Sequence, residues 1–462
     1  MTLGVAGCAI LISSPAQYLG RQQDDLLYLI GAQSLLEGRF RLLTVPGAPP
    51  LYMIGPGFPA LLTPLALLAG ENWGVYQAFS ALLLSIAPCL IWLWLKRRLG
   101  SVESLLICLL FALSPLVLCQ AGTVMSEGPY LLATLGLLFA LETKSRGAAS
   151  GLLLFATQAR TAAVSLLPGA LAGSIAKRRW KEALLLCAPA LAGMLAWSLW
   201  SRATSGSAQQ KFEELSAAYA SGVGRLPLVV WDNAVYYLGS WGQSFLPASW
   251  APAAPLAGLA LTVGSLKGAR RLWRKNKWEP ALWILAGTAL LHLVWPWQYE
   301  RYLIMPLPFL LWCLAEGLGR PARPALAALL CAQIVFQSRP WLFHEQSWTK
   351  PELSRTYGWI REHTAPSDLL SSVMYVRDGF LTARPALPLA ASPDADSLYH
   401  LLKSHKVRYV LWQDGLDLGL SLDATSTVRG QLDRDGESLR DAALFKVVYE
   451  NSEEHARLYE LL

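Results

Sequence analysis

Up to about Ser338 the chain alternates long apolar runs with short loops rich in Lys and Arg, and from Arg339 onward it becomes an ordinary polar sequence. A helix that crosses a bilayer needs roughly 20 apolar residues, within about 17–25. Runs near that length occupy 3–19, 75–95, 104–121, 125–141, 183–200, 252–266, 280–296, 302–318 and 324–337, and each is predicted to be a membrane span. The run 147–176 is too long for one span and too short for two full ones. Lys144 and Arg146 precede it, and Lys177, Arg178, Arg179 and Lys181 follow it. If both clusters lie on one side, the segment goes in and returns. This predicts two short helices with Arg160-Thr161 at the turn. An Arg at that depth belongs in a protein-walled, hydrated cavity rather than against lipid.

Two loops on the other side are long. The first runs over 20–74 and opens with DDLLYLIGAQSLLEG. There Leu26, Tyr28, Leu29, Ala32, Leu35 and Leu36 recur at helical spacing behind Asp24-Asp25. That pattern predicts a helix lying along the membrane, its acidic end at the positive pole of the dipole. A Pro/Gly-rich turn and a second apolar helix follow. The second long loop, 201–250, contains WDNAVYYLGSWGQSFLP, whose aromatics suit the interfacial zone. In the polar region, 352–363 and 396–404 read as helices, and 368–376, 407–412 and 443–449 as strands. The expected fold is an α-helical polytopic membrane protein with a small C-terminal α/β domain. The membrane part takes residues 1–338 and the soluble part 339–462.

Charge orients this layout. The proposed inner loops hold seventeen Lys and Arg, against eight in the much longer outer ones. The positive-inside rule then gives eleven crossings, a cytoplasmic N-terminus and an extracytoplasmic C-terminal domain. The net charge of +7 reads as membrane topology and not as nucleic-acid binding. Charged residues are only 15% of the chain, against about 25% in an average soluble domain. The first span lacks a small-residue cleavage site and is read as an uncleaved helix. All seven Cys lie in apolar segments, so there is neither a disulfide framework nor a zinc spacing. No Gly-rich nucleotide loop and no Ser-His-Asp arrangement emerges from the spacing.

Several stretches resemble one family. QDDLLYLIGAQSLLEG followed by PPLYMIGPGFPALLTPL is similar to the first outer loop of GT-C glycosyltransferases. SEGPYLLATLGLLFAL, GAASGLLLFATQARTA, RYLIMPLPFLLW and YGWIREHTAPSDLLSS extend the likeness in order along nearly the whole chain. The nearest branch is the bacterial family 39-like group, related to protein O-mannosyltransferases and aminoarabinose transferases. The resemblance implies a GT-C fold in a bacterial inner membrane. It also implies transfer of a sugar from a polyprenyl-phosphate donor to an acceptor on the extracytoplasmic face. Its aligned Asp carries an aromatic residue four positions on, which Asp24 with Tyr28 satisfies. One departure stands at Gly47-Ala48-Pro49-Pro50, where aminoarabinose transferases carry a Lys before the proline pair.

That reaction needs a base near the acceptor and positive charge near the departing phosphate. Asp24 is the expected base, with Asp25 as its neighbouring carboxylate. Glu127, in MSEGPY, is the expected second carboxylate. It either orients the acceptor or shares a divalent cation with Asp24. Arg301 and Arg160 are the candidates for the donor phosphate, since a guanidinium grips phosphate in bidentate fashion. Tyr28, Tyr52, Trp297, Tyr299 and His292 are assigned to a substrate groove. Bland alternatives stand beside each role: helix capping for the carboxylates, interfacial anchoring for the aromatics. Two other classes remain open, a transporter or flippase of lipid-linked sugars and a non-catalytic membrane assembly factor.

Overall fold

Apolar runs become helices almost wherever the sequence places them, and the exceptions fall at prolines. The computed structural model describes residues 2–14, 18–205, 226–295, 297–344, 352–390, 392–414 and 433–462. They form two compact units, Met1–Gln17 with Tyr52–Gln346, and Tyr18–Leu51 with Ser347–Leu462.

The first unit is helical. Among the described residues, three helices are long and apolar enough to cross a membrane: Trp73–Leu95, Trp180–Thr204 and Ala322–Leu342. Shorter apolar helices include Ser101–Ala112, Pro280–Val294 and Leu307–Leu318. The expected span 104–121 breaks into Ser101–Ala112 and Pro115–Leu118. Pro115 disfavours helix at Ser114, whose ψ of 132° is extended. Likewise the expected span 302–318 becomes helical only from Leu307, after a tight turn over Glu300–Leu303. The aromatic stretch expected in the second outer loop forms the helix Leu226–Gln243, while 206–225 of that loop lie outside the described residues.

Glycine sets the closest helix crossings. A Cβ at Gly242 would stand 1.9 Å from the Ala254 carbonyl oxygen, and one at Gly258 1.9 Å from that of Leu238. At Gly268 it would stand 1.7 Å from the Cys313 oxygen. Helices Leu226–Gln243, Ala254–Lys275 and Leu307–Leu318 therefore touch backbone to backbone, as membrane helices do where small residues replace bulk. Polar side chains add cross-links: Ser265 Oγ donates to Leu310 O at 3.0 Å, and Gln333 Nε2 to Leu110 O at 2.9 Å.

The basic loops gather at one end of this unit. Arg98 pairs with Glu142 (2.5 Å) and Glu279 (3.2 Å), and Lys275 with Glu316 (3.1 Å). Arg146 pairs with Glu182 at 2.7 Å, so the segment between them returns to the side it left. Its two arms are helices Arg146–Ala159 and Leu167–Ala176, with Arg160 extended (φ −153°, ψ 127°) at the break.

The second unit carries a five-stranded sheet. Its strands are β1 (Leu370–Ser372), β2 (Ala386–Pro388), β3 (Tyr409–Gln413), β4 (Phe445–Asn451) and β5 (Ala456–Leu461), in the order β2-β1-β3-β5-β4. β1 runs parallel to β2 and β3, and β5 antiparallel to β3 and β4. The expected strand 368–376 shrinks to β1, because Tyr375–Thr382 forms a helix instead. Gly379 explains this: a Cβ there would reach within 3.0 Å of Ala386, so the helix lies directly on β2 and tertiary packing overrides local β-propensity.

Residues Tyr18–Leu51 belong to this same unit. Ala386 N, at the start of β2, donates to Thr44 O at 2.9 Å. The helix Asp24–Leu36 is buried continuously from Asp25 to Ala32. It is therefore not the half-exposed surface helix that its periodicity predicts.

The glycine crossings make a prediction of sign. Gly→Ala within a helix ordinarily gains up to about 1 kcal/mol. Gly173→Ala, where a Cβ meets nothing within 4 Å, follows that rule. Gly268→Ala reverses it and loses about 1–3 kcal/mol or more, as overpacking does. Thermal unfolding of the two variants in detergent separates them.

Candidate active site

Glu127 opens the helix Glu127–Glu142, where the dipole favours a carboxylate. It is 5% exposed, and two arginines converge on it. Arg160 Nη1, from the hairpin break, stands 2.8 Å from Glu127 Oε1 and donates to Ser126 Oγ at 3.1 Å. Arg301 Nε, from the turn Glu300–Leu303, stands 3.4 Å from the same oxygen, and Arg301 is 6% exposed. Tyrosine faces hold the guanidiniums from the other side. Arg301 lies 4.3 Å from the Tyr299 ring centre, and Arg160 lies 5.4 Å from that of Tyr302. Among the described residues, Glu127 Oε2 has no hydrogen-bond partner.

Two arginines and one glutamate leave this three-residue cluster with net positive charge. Removing an ion from water costs several kcal/mol, and a close pair returns roughly 4 kcal/mol at an effective dielectric of about 20. Two guanidiniums converging on one carboxylate can, by their chemistry, bind an anion such as phosphate.

The surroundings fix the geometry. His292 stacks on Tyr302 with ring centres 5.2 Å apart and lies 5.8 Å from Tyr237. His292 and Tyr302 share a small cavity with Glu127, Tyr130, Arg160 and Arg301. Ser165 Oγ lies 3.4 Å from the Tyr130 hydroxyl and 3.1 Å from Thr288 Oγ1. Asn233, fully buried, donates to His292 O (3.2 Å), Leu293 O (2.9 Å) and Trp295 O (2.7 Å). Gln298 Nε2 donates back to Asn233 Oδ1 at 3.0 Å. This clamp anchors the loop that carries Tyr299 and Arg301. At the hairpin, a Cβ on Gly57 would come 2.6 Å from Ala159 N and one on Gly55 2.2 Å from Gln158 O. Only glycine lets that turn press against the residues before Arg160.

The structure thus brings Glu127, Arg160, Arg301, Tyr299 and His292 together. Tyr52 and Trp297 are half-buried, and neither lines this cavity. Sequence reasoning missed Ser126, Tyr130, Thr288, Tyr302 and Asn233.

Asp24, Asp25 and Tyr28 belong to the second unit. Asp25 is fully buried: its Oδ2 accepts from Gly20 N at 2.8 Å and its Oδ1 from Leu26 N at 2.9 Å. Asp24 is half-buried and points about 100° away around the helix. Tyr28 is 5% exposed. Among the described residues no three His, Cys, Asp or Glu side chains group as a metal site. The two guanidiniums on Glu127 would compete with a divalent cation at that carboxylate.

No protein-family model and no curated protein matches the chain. Solved structures do. The oligosaccharyltransferase of Archaeoglobus fulgidus, in complex with Zn and sulfate, matches with a TM-score of 0.54 at 12% identity, over 89% of this chain and 67% of its own. The apo form of that protein matches with a TM-score of 0.54 at 11% identity, over 89% and 69%. ArnT of Cupriavidus metallidurans, bound to undecaprenyl phosphate, aligns over 99% of this chain and 97% of its own at 12% identity, with a TM-score of 0.44. The likeness to the Archaeoglobus fulgidus oligosaccharyltransferase shows the fold, which this chain shares with that protein.

Glu127→Gln removes the counter-charge of two buried arginines. We expect a loss of about 3–5 kcal/mol, the usual cost of breaking a buried pair. Added phosphate should restore thermal stability in the variant more than in the wild type. An equal response to phosphate in both proteins would contradict the anion-seat reading.

Proposed function

We propose that this chain is an inverting glycosyltransferase that moves a sugar from a polyprenyl-phosphate donor to an acceptor on the extracytoplasmic face. The observation that carries it is the buried, positively charged Glu127–Arg160–Arg301 cluster inside a GT-C fold. A polyprenyl phosphate is a good leaving group with a concentrated charge. The two guanidiniums can receive that charge as it develops, which is where electrostatic stabilisation counts most. Glu127 keeps them convergent. His292, Tyr299, Tyr28, Tyr52 and Trp297 are proposed to line the sugar and lipid path.

In the proposed step the acceptor oxygen or nitrogen attacks the anomeric carbon opposite the phosphate. The bond from that carbon to the phosphate oxygen breaks, and its electron pair leaves with the polyprenyl phosphate. The acceptor proton passes to Asp24. Asp25, buried and satisfied by backbone N–H groups, holds the turn rather than exchanging protons. A single displacement inverts the anomeric centre.

The proposed topology is eleven crossings with a cytoplasmic N-terminus and an extracytoplasmic C-terminal unit, in a bacterial inner membrane. Ion pairing among the basic loops at one end supports that orientation. The buried Arg160 in a broken hairpin is the feature a transporter of lipid-linked sugars would share.

Transfer of labelled sugar from a panel of polyprenyl-phosphate sugars, by purified protein in lipid, tests the reading. Asp24→Asn should lower the rate by about 10²–10⁴ while donor binding persists. Equal rates in variant and wild type would remove Asp24 as the base. Movement of intact donor across vesicles, with no transfer to any acceptor in membrane extract, would favour the transporter.

A further inference from the structure

Arg377 lies in the helix Tyr375–Thr382 of the second unit and is 2% exposed. Two side chains hold its guanidinium, and a third braces one of them. Nε donates to Asp378 Oδ1 at 2.8 Å, and Nη2 to Gln413 Oε1 on β3 at 3.1 Å. Asp378 Oδ1 also accepts from the Tyr357 hydroxyl, at 2.7 Å, on the helix Ser354–His363. A side chain anchored this firmly has little rotational freedom left.

Its alkyl stem forms a seat for Gly20. A Cβ at Gly20 would stand 2.8 Å from Arg377 Cγ, 3.3 Å from Cδ and 3.1 Å from Leu381 Cδ1. The φ of +90° also requires glycine there. Seated this way, Gly20 sends its N–H to Asp25 Oδ2 at 2.8 Å. Tyr18 lies in the same neighbourhood. A continuous set of contacts therefore runs from the sheet, through Arg377 and Gly20, to the carboxylates that open the helix Asp24–Leu36.

We propose that Arg377 is a positioning residue for the Asp24-Asp25 turn, through the contacts Arg377–Gly20–Asp25. The kinetic part rests on the reading of Asp24 as the acceptor base. The C-terminal unit then serves as the mount of the catalytic loop, whatever else it binds. Arg377 touches neither substrate nor reacting atoms. Its loss should misplace the base and lower kcat while leaving donor affinity nearly intact.

A double-mutant cycle in the full-length protein tests this. Arg377→Ala removes the seat from one side, and Gly20→Ala overfills it from the other. Arg384→Ala is the control: it deletes another buried arginine of the same unit, whose donors go to Thr364 and to the carbonyls of Arg361 and Thr382. The readouts are hydrogen exchange of residues 18–36 and the separation of kcat from KM for transfer. Each single variant should raise exchange there by about tenfold or more and lower kcat, with donor KM changed less than about threefold. Coupled sites are non-additive, so the double variant should be no worse than the worse single one. Arg384→Ala should leave exchange in 18–36 unchanged. Unaltered exchange in Arg377→Ala, an equal rise in Arg384→Ala, multiplicative effects in the double variant, or loosening with unchanged kcat would each overturn the proposal. If wild type transfers nothing, the base assignment falls, and the exchange cycle still decides whether Arg377 holds the turn.

Discussion

A buried charge must find a partner of opposite sign, and around that constraint the helical unit is arranged. Glu127 receives Arg160 from the hairpin and Arg301 from a short turn, three segments distant in sequence. Each of those segments departs from regular helix at that point. Arg160 is extended, Arg301 sits in a tight turn, and Glu127 begins a helix. Irregular backbone at depth is tolerated where it lines a cavity walled by protein. The glycines at 55 and 57, the Asn233 clamp and the stacked His292–Tyr302 pair all serve to hold those breaks in place.

The second unit meets a related constraint with different chemistry. Arg377, Asp378, Tyr357 and Gln413 form a buried network in which the charge is paired and the polar groups reach one another. Asp378 and Tyr357 have a joint consequence: burial, together with the neighbouring carboxylate, pushes the Tyr357 hydroxyl well above its ordinary range even against the pull of Arg377. It therefore stays a donor at every physiological pH. The same network seats Gly20. The acidic turn that resembles a catalytic loop is thus part of the C-terminal fold rather than an appendage of the helices beside it in sequence.

Much of this was legible from hydrophobic runs and charge. The hairpin with Arg160 at its turn followed from two basic clusters flanking a run of intermediate length, and the Arg146–Glu182 pair closes it as expected. Arg160 stood out because a charged residue at membrane depth is costly, and Glu127 and Arg301 because the expected reaction calls for a second carboxylate and a cation for the phosphate. What stayed hidden were partners with ordinary sequence signatures. Tyr302 and Thr288 look like any residues of an apolar stretch, and Asn233 lay within a presumed loop. The strand expected over 368–376 ran into the start of the helix Tyr375–Thr382, because Gly379 gains its meaning only against Ala386, seven residues away. Burial of Asp24–Leu36 was likewise invisible, since the surface it packs against comes from more than 300 residues later.

The proposed function depends on Arg160 and Arg301 seating a lipid-linked phosphate. Native mass spectrometry of the purified protein with a polyprenyl phosphate tests it most directly, comparing wild type with Arg160→Ala and Arg301→Ala. The account predicts one bound lipid in wild type and at least about tenfold weaker binding, or roughly 1.4 kcal/mol, in each variant. Equal occupancy in all three proteins would contradict it.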